Sequence, residues 1–278
     1  MLRFFVMTGV FSVAVSPGVV GRVVVVGEKE ALFRFLCACA SEQRGRQLSI
    51  LVATPVQTTG LVDLHGFALR CGWQACDTDC TEAGLLDIIR DFRPHLLVSV
   101  LFPRKISPAV LQSVQYAINF HPSLLPEHRG SLTQFWAVFD GDAASGVTCH
   151  HMVAALDEGP VIDRESCELS DSETAFSLNR KLMTCFEVLA SRIMKIYFRT
   201  GEIPAGQPQP PPTTPYHFRK FPNDGFIDCS WSDAMIDRFI RGMFVPPYVG
   251  AKVKTSDGRE YAISTLADYH EVLARLAQ

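Results

Sequence analysis

The sequence predicts an α/β protein with a Rossmann-like, largely parallel sheet that carries helices on both faces, followed by a small C-terminal α+β appendage. Two observations lead to this prediction. Short runs of apolar and β-branched residues alternate with stretches of helical periodicity, as in repeated strand–helix units. The strand runs are apolar almost throughout, which is typical of strands that are buried on both faces. A chain of 278 residues with 47% hydrophobic content can bury such a core.

The elements can be placed in chain order. The first strand is a run of valines that ends in glycine, and Thr81 can cap a later helix by accepting a hydrogen bond from a free backbone N–H of its first turn. The predicted strands are residues 22–27, 48–53, 73–77, 95–102 and 117–121. The predicted helices are residues 29–43, 61–71, 81–92 and, with long amphipathic spacing, 174–199.

Four segments follow from this pattern. Residues 1–21 form an N-terminal extension whose role the sequence leaves open, and residues 22–200 form the main domain. Residues 201–215 are rich in proline, which neither a helix nor a central strand tolerates, so they form an extended linker. Residues 216–278 form the small C-terminal domain.

The N-terminal extension is apolar and carries one basic residue among its first 18, which superficially resembles a short secretory signal. No small-residue cleavage site follows it, and the run is too short to cross a bilayer. An extra strand, or an upstream extension from a mistaken start codon, explains it better than export does. We therefore expect a cytoplasmic protein without a membrane partner.

The net charge, the cysteine spacing and one missing motif argue against several classes of protein. The net charge of −3 argues against a general nucleic-acid binder, which usually shows a basic stripe. The nine cysteines lack the close paired spacing of a zinc site, so we expect reduced thiols and no metal. No Gly-x-Gly-x-x-Gly follows the first strand, which argues against a nicotinamide cofactor.

The residues with the clearest chemistry lie at the end of the fifth predicted strand. Asn119 and His121 are two apart, so their side chains point to one face, and Asp157 follows in a later loop. An amide can donate to an oxyanion, an imidazole can act as a base, and a carboxylate beside it favours the charged imidazole. Each residue alone is commonly found in a turn, so only the combination suggests a catalytic site.

Several motifs in fixed order resemble the folate-dependent formyltransferases, a family that includes glycinamide ribonucleotide, methionyl-tRNA and amino-sugar formyltransferases. The resemblance is clear over residues 22–189 and weaker over residues 216–253. The matching motifs are Asn-x-His-Pro-Ser-Leu-Leu-Pro at 119–126, Arg-Gly at 129–130, Gly-Val-Thr-x-His at 146–150 and Leu-Asp-x-Gly-Pro at 156–160.

The resemblance implies 10-formyltetrahydrofolate as co-substrate, with Asn119, His121 and Asp157 as the catalytic residues. It places the pterin between two loops, at Phe102, Arg104, Ile106, Val153, Ala155 and Leu156. For Arg104 a solvated loop cation is an equal alternative. His150 is expected to be a structural partner near the site, and His128 a surface loop residue.

The C-terminal part resembles that of the amino-sugar and methionyl-tRNA enzymes, which the purine-pathway enzymes normally lack. One departure is Cys229-Ser230-Trp231, which stands where the family commonly has tryptophan directly after Ile-Asp. The residues that could stack a nucleobase and meet a diphosphate are Tyr216, Phe218, Arg219 and Lys220, with an ordinary packed linker end as the alternative.

The appendage is short for the tRNA enzyme's added barrel, and residues 54–60 contain no Lys or Arg to hold a polyanion. We therefore expect a small acceptor, the primary amine of a nucleotide-linked amino sugar. Methionyl-tRNA formyltransferase is the alternative, and a catalytically silent folate-binding protein is a second one. The resemblance also suggests a homodimer. The sugar, its nucleobase and the position of its amine cannot be read from the sequence.

Overall fold

The computed structural model describes residues 20–43, 48–55, 62–248, 250–255 and 258–276. Residues 1–19 of the predicted N-terminal extension and residues 56–60 of the cation-free loop lie outside this range. The strands are β1 Val20–Gly27, β2 Leu48–Pro55, β3 Gln74–Thr78, β4 Leu96–Val100, β5 Tyr116–His121, β6 Ala144–His151, β7 Val161–Glu168, β8 Ala251–Lys254 and β9 Glu260–Ile263. The helices are α1 Lys29–Glu42, α2 Leu64–Arg70, α3 Glu82–Phe92, α4 Pro108–Gln112, α5 Thr133–Asp140, α6 Ala175–Thr200, α7 Asp233–Met243 and α8 Leu266–Leu276.

The first seven strands form one twisted sheet in the order β3-β2-β1-β4-β5-β6-β7. Strands β1 to β5 run parallel, whereas β6 and β7 pair antiparallel to complete the sheet on the side of β5. The Rossmann-like, largely parallel prediction is therefore confirmed, and the two antiparallel strands are additions to the five predicted ones.

The core lies on both faces of the sheet. On one face, α1 and α6 cover the strands, and on the other, α3 and α4 do so. Four consecutive valines of β1, residues 23–26, are fully buried, which explains why that strand is apolar throughout. Helix α6 begins at a capping box made by Thr174 and Ser177, close to the predicted start.

The C-terminal appendage has its own small sheet, β8 with β9, and two helices, but its core is shared with the main domain. Phe135 and Phe139 of α5 pack against Phe239 and Ile240 of α7. Helix α5 follows the motif segment directly, so the appendage is attached close to the predicted site.

The proline-rich residues 201–215, called the strap below, lie outside every described helix and strand and are bound along the main domain. Gln207 exchanges both backbone hydrogen bonds with Val161, at 2.8 and 2.7 Å. The Gln209 amide donates to the carbonyl oxygens of Asp157 and Gly159, each at 2.8 Å. The strap therefore supports the loop that carries Asp157. Among the described helices, none combines the length and the apolar character that a bilayer crossing requires.

Candidate active site

Asn119 and His121 lie at the carboxyl end of β5, an interior strand between β4 and β6. Their spacing of two places both side chains on one face of the sheet. On the antiparallel neighbour β6, His150 lies directly opposite Asn119. The carboxyl ends of strands in open α/β sheets are the usual place for ligand binding.

Asp157 reaches this pair from the loop between β6 and β7. Its φ is 56°, in the left-handed region that Asp tolerates better than most residues. The backbone N–H of Gly130 donates to Oδ2 at 3.0 Å. Oδ1 lies 3.6 Å from Nδ1 of His121 and 3.7 Å from Nε2 of His150. The structure thus brings the three predicted residues, Asn119, His121 and Asp157, together with His150.

The tautomer of His121 follows from its hydrogen-bond partner. Nε2 lies 3.0 Å from the carbonyl oxygen of His128, which can only accept, so Nε2 carries a hydrogen and donates it. In the neutral ring the lone pair is then on Nδ1, the nitrogen that faces Asp157. The basic nitrogen of His121 is therefore held beside the carboxylate.

His150 orients the amide of Asn119 in a similar way. Nδ1 of His150 lies 2.9 Å from the carbonyl oxygen of His151 and must donate to it, which leaves Nε2 of the neutral ring as an acceptor. Nδ2 of Asn119 lies 3.1 Å from that nitrogen and donates to it. The second N–H of this amide is not used by the bond, so Asn119 retains a donor for a ligand.

Burial and charge act in opposite directions on this group. Burial lowers the pKa of His121 below that of a free imidazole, and the carboxylate of Asp157 partly opposes the effect. Burial alone would raise the pKa of Asp157, but the imidazoles of His121 and His150, which are protonated in acid, and the N–H of Gly130 outweigh it and hold that pKa well below its usual range. At neutral pH the site therefore contains a neutral imidazole beside an ionised carboxylate.

A cavity of about 560 Å³ is lined by Asn119, His121 and Asp157. Its lining also includes both predicted pterin loops. Other parts of the cavity wall are formed by two residues after β1, Glu28 and Lys29, and by Gly130 to Gln134 around the start of α5. All six predicted folate-binding residues line the cavity: Phe102, Arg104, Ile106, Val153, Ala155 and Leu156.

The four predicted nucleotide-binding residues divide into two pairs. Tyr216 and Arg219 line the cavity. Phe218 lies outside its lining and is 75% exposed, and its ring meets that of Tyr216 edge to face with 5.1 Å between the ring centroids. Lys220 also lies outside, and its Nζ is 3.3 Å from the carboxylate of Asp224. The four residues thus extend outwards from the cavity mouth along one segment.

The prediction that His128 is a surface residue is wrong. It is 2% exposed because its ring packs beneath the strap end, where Nε2 lies 2.7 Å from Oδ2 of Asp142 and Nδ1 lies 3.2 Å from Nε2 of His217. His217 was not singled out from the sequence. In an extended segment alternate side chains point in opposite directions, so the predicted ligand-binding role of Tyr216 and Phe218 was a usable signal that His217 faces the protein.

Gln209 of the strap is a further contact that the sequence did not suggest. Besides its two bonds to the Asp157 loop, its side-chain oxygen accepts from both Nε and an Nη of Arg129, at 3.2 and 2.8 Å. Arg129 precedes Gly130, which holds Asp157. One glutamine therefore ties together the two loops that position the carboxylate.

The site places an imidazole, an amide and a carboxylate around one cavity, and the family match and relatives below make the protein an enzyme of the formyl-transferring class. The chain belongs to the formyl transferase family, since residues 22–187, more than half of its length, match the model of the formyl transferase domain.

Particular relatives are similar over most of the chain. The GDP-perosamine N-formyltransferase of Brucella melitensis is 30% identical over 232 residues, which cover 81% of this chain and 85% of the relative. Among solved structures, a 4-N formyltransferase from Francisella tularensis has a TM-score of 0.70 at 16% identity, covering 88% of this chain and 97% of that one.

The N-formyltransferase of Helicobacter canadensis, solved with folinic acid and dTDP-3-aminofucose, has a TM-score of 0.63 at 18% identity, covering 80% of this chain and 81% of that one. At these identities the solved structures show that the fold is shared.

Proposed function

We propose that this enzyme transfers the formyl group of 10-formyltetrahydrofolate to the primary amine of a nucleotide-linked amino sugar. The observation that supports it most is the arrangement of His121 and Asn119 on one cavity wall. His121 offers a basic nitrogen and Asn119 offers an N–H donor. A hydrogen bond to the carbonyl of His128 orients the imidazole, and one to the ring of His150 orients the amide. Formyl transfer to an amine needs both groups at the same carbon.

His121 acts as the base. The amine nitrogen bonds to the formyl carbon and gives up a proton, which Nδ1 of His121 accepts. Nε2 already donates to the carbonyl of His128, so protonation at Nδ1 requires no rotation of the ring. Asp157, 3.6 Å from Nδ1, stabilises the imidazolium that results.

Asn119 donates to the formyl oxygen as that oxygen gains negative charge. Preorganisation makes the donor effective, because no reorientation has to occur during the reaction. The bond from Nδ2 to Nε2 of His150 fixes the amide plane before any ligand binds. His150 is thus a positioning residue for Asn119.

The residues of the two pterin loops fit a folate. Apolar side chains on the cavity wall come from Phe102, Ile106, Val153 and Leu156. Val153 and Leu156 are 41% and 40% exposed, whereas most large apolar side chains of the described residues are buried. A flat pterin would cover them. The co-substrate brings the formyl group, bonded to a nitrogen that leaves with the electron pair of the broken bond and takes up the proton that His121 accepted from the amine.

The acceptor is proposed to enter past Tyr216 and Arg219. Both line the cavity, and Phe218 continues the aromatic surface outwards, where a nucleobase can stack and a guanidinium can meet a diphosphate. The Brucella relative is named for a GDP-linked amino sugar, and its similarity over 81% of this chain supports an acceptor of that class.

The experiment is tetrahydrofolate release from 10-formyltetrahydrofolate by the purified protein, with GDP-, dTDP- and UDP-linked amino sugars offered separately and methionyl-tRNA as a further arm. Release that requires one sugar nucleotide supports the proposal and identifies the acceptor. Release with the tRNA alone contradicts the choice of acceptor, and folate binding without release in any arm contradicts the enzyme activity.

A further inference from the structure

A second cluster of metal-binding residue types lies next to the proposed catalytic residues Asn119, His121 and Asp157, called the catalytic group below, on the far side of His128. It consists of His128, Asp140, Asp142 and His217, called the histidine–aspartate cluster below. The proposed reaction uses none of these side chains. His128 and His217 are 2% and 4% exposed, whereas Asp140 at the end of α5 is exposed. The cluster is therefore buried on its imidazole side and open to solvent on its carboxylate side.

The spacing of the two imidazoles is that of two ligands on one ion. Nδ1 of His128 and Nε2 of His217 are 3.2 Å apart. Two nitrogens bound to a tetrahedral Zn²⁺, each at about 2.0–2.1 Å, lie roughly 3.3 Å from one another. In this structure the two nitrogens share a hydrogen bond that Nε2 of His217 donates, and an ion can replace that hydrogen between them with little movement of either ring.

A carboxylate completes a three-ligand set. Oδ2 of Asp140 lies 3.9 Å from Nδ1 of His128. One ligand atom from each of His128, Asp140 and His217 can be chosen so that all three lie within 4.8 Å of one another. Since Asp140 is at the surface, its side chain can turn inwards onto an ion, and water can take the fourth position.

The outer contacts also match those of a metal-binding histidine. Nε2 of His128 lies 2.7 Å from Oδ2 of Asp142 and donates to it, which leaves the lone pair of the neutral ring on Nδ1, the nitrogen that faces His217. A carboxylate that accepts from the far nitrogen in this way fixes the tautomer and makes the ligand nitrogen more basic. The His217 ring is held in place by stacking on Trp136, at 4.1 Å and 12° between planes.

We propose that the histidine–aspartate cluster binds one divalent transition-metal ion, with Zn²⁺ as the ion that imidazole and carboxylate ligands suit best among the common ones. The ligands are His128 Nδ1, His217 Nε2 and the carboxylate of Asp140, and Asp142 orients His128. The site is separate from the catalytic group, and the inference does not depend on the proposed reaction.

Such an ion would join two segments that serve the cavity. The carbonyl of His128 holds Nε2 of His121, and His217 stands between Tyr216 and Phe218. The backbone already links them, because Ser131 N donates to the carbonyl of His217 at 2.8 Å. We therefore expect the ion to raise the melting temperature, since it binds the folded chain and not the separated segments.

The test is equilibrium dialysis of chelator-treated protein against Zn²⁺, with Co²⁺ as a spectroscopic probe. The wild type should bind one equivalent and show the visible absorption of tetrahedral Co²⁺. His217→Gln should abolish binding, and Asp142→Asn, which alters the outer contact, should weaken it by about 10–100-fold. Asp140→Asn, a surface change that leaves folding intact, should also weaken binding and remove the rise in melting temperature.

Two controls locate the ion. Asp91→Asn changes an exposed carboxylate on α3 away from the cluster and should leave binding unchanged. His121→Gln removes a histidine of the catalytic group and should also leave it unchanged. The proposal is overturned if the wild type takes up no stoichiometric ion, if Asp140→Asn and His217→Gln bind as the wild type does, or if His121→Gln loses the ion.

Discussion

The catalytic group and the histidine–aspartate cluster contain the same kinds of side chain, and they share a hydrogen bond, from Nε2 of His121 to the carbonyl of His128. They differ in what the second ring nitrogen faces. In His121, Nε2 donates to a backbone carbonyl and Nδ1 faces the Asp157 carboxylate on the cavity wall. In His128 both nitrogens are directed at side chains, Asp142 and His217.

This difference shows that chemistry follows from the direction of the free nitrogen rather than from the residue type. A histidine whose lone pair faces a cavity can take a proton from a ligand. A histidine whose lone pair faces another imidazole can hold only a proton or a metal ion.

The largest effect is expected from His121→Gln. Glutamine can still donate to the carbonyl of His128, so the fold is retained, but it cannot accept the proton. Turnover should fall by about 10²–10⁴. Steady-state kinetics with the identified acceptor measure this, with circular dichroism to verify folding. An unchanged turnover would remove His121 from the role of base.

Asn119→Ala should have the next largest effect, a loss of about 10²–10³ in turnover, because one preorganised donor to the oxyanion is removed. The KM for the acceptor should change much less than kcat, since the interaction strengthens only in the transition state. A rise in KM by a similar factor, with kcat unchanged, would instead mean that Asn119 contributes to substrate binding in the ground state.

Asp157→Asn tests how the Asp157 carboxylate affects the pKa of His121. Burial lowers the pKa of His121, and the Asp157 carboxylate opposes that effect, so its removal lowers the pKa further. The base acts in its neutral form, so the acid limb of the kcat/KM profile should move to lower pH while the plateau falls. A limb that moves to higher pH, or does not move, would contradict this account of the pair.

The smallest effect concerns the strap rather than either histidine group. The carboxylate of Glu127 accepts from the backbone N–H groups of Thr213 and Thr214, at 3.0 and 2.8 Å. Glu127→Gln should lower the free energy of unfolding by about 1–2 kcal/mol. Urea denaturation measures it, with Glu202→Gln, at the exposed start of the strap, as the matched control.

The same contact gives a pH dependence. Burial alone would raise the pKa of Glu127, but the bonds from Thr213 and Thr214 outweigh it and lower that pKa in the folded state. The stabilisation is therefore present above the unfolded pKa and is lost as the pH falls through the folded pKa. The difference in stability between wild type and Glu127→Gln should shrink in acid, and a difference that grows there would contradict the assignment.

The sequence predicts the part of the site that depends on local pattern. A period of two places Asn119 and His121 on one face, and alternating strands and helices place that strand inside a parallel sheet. The loop with Asp157 follows from the ordered motifs. These features need no knowledge of which distant segments touch.

The remaining contacts join segments that are far apart in the sequence and meet only in the folded chain. His128 and His217 are 89 residues apart and meet only because the strap brings residue 217 back beside Gly130. Prolines predict that the strap is extended, but not where Gln209 binds. The surface prediction for His128 failed because a loop histidine was judged without its partners.

The role of His121 as the base is tested by acceptor-dependent tetrahydrofolate release, compared among the wild type, His121→Gln and His151→Gln. His151 is adjacent to His150 on β6, and its Nε2 bonds the carbonyl of Pro204 at 3.0 Å, a bond that glutamine can keep. We predict release by the wild type and by His151→Gln only when the amino-sugar nucleotide is present, and almost none by His121→Gln. Equal release by all three proteins, or release that needs no amine, would contradict the account.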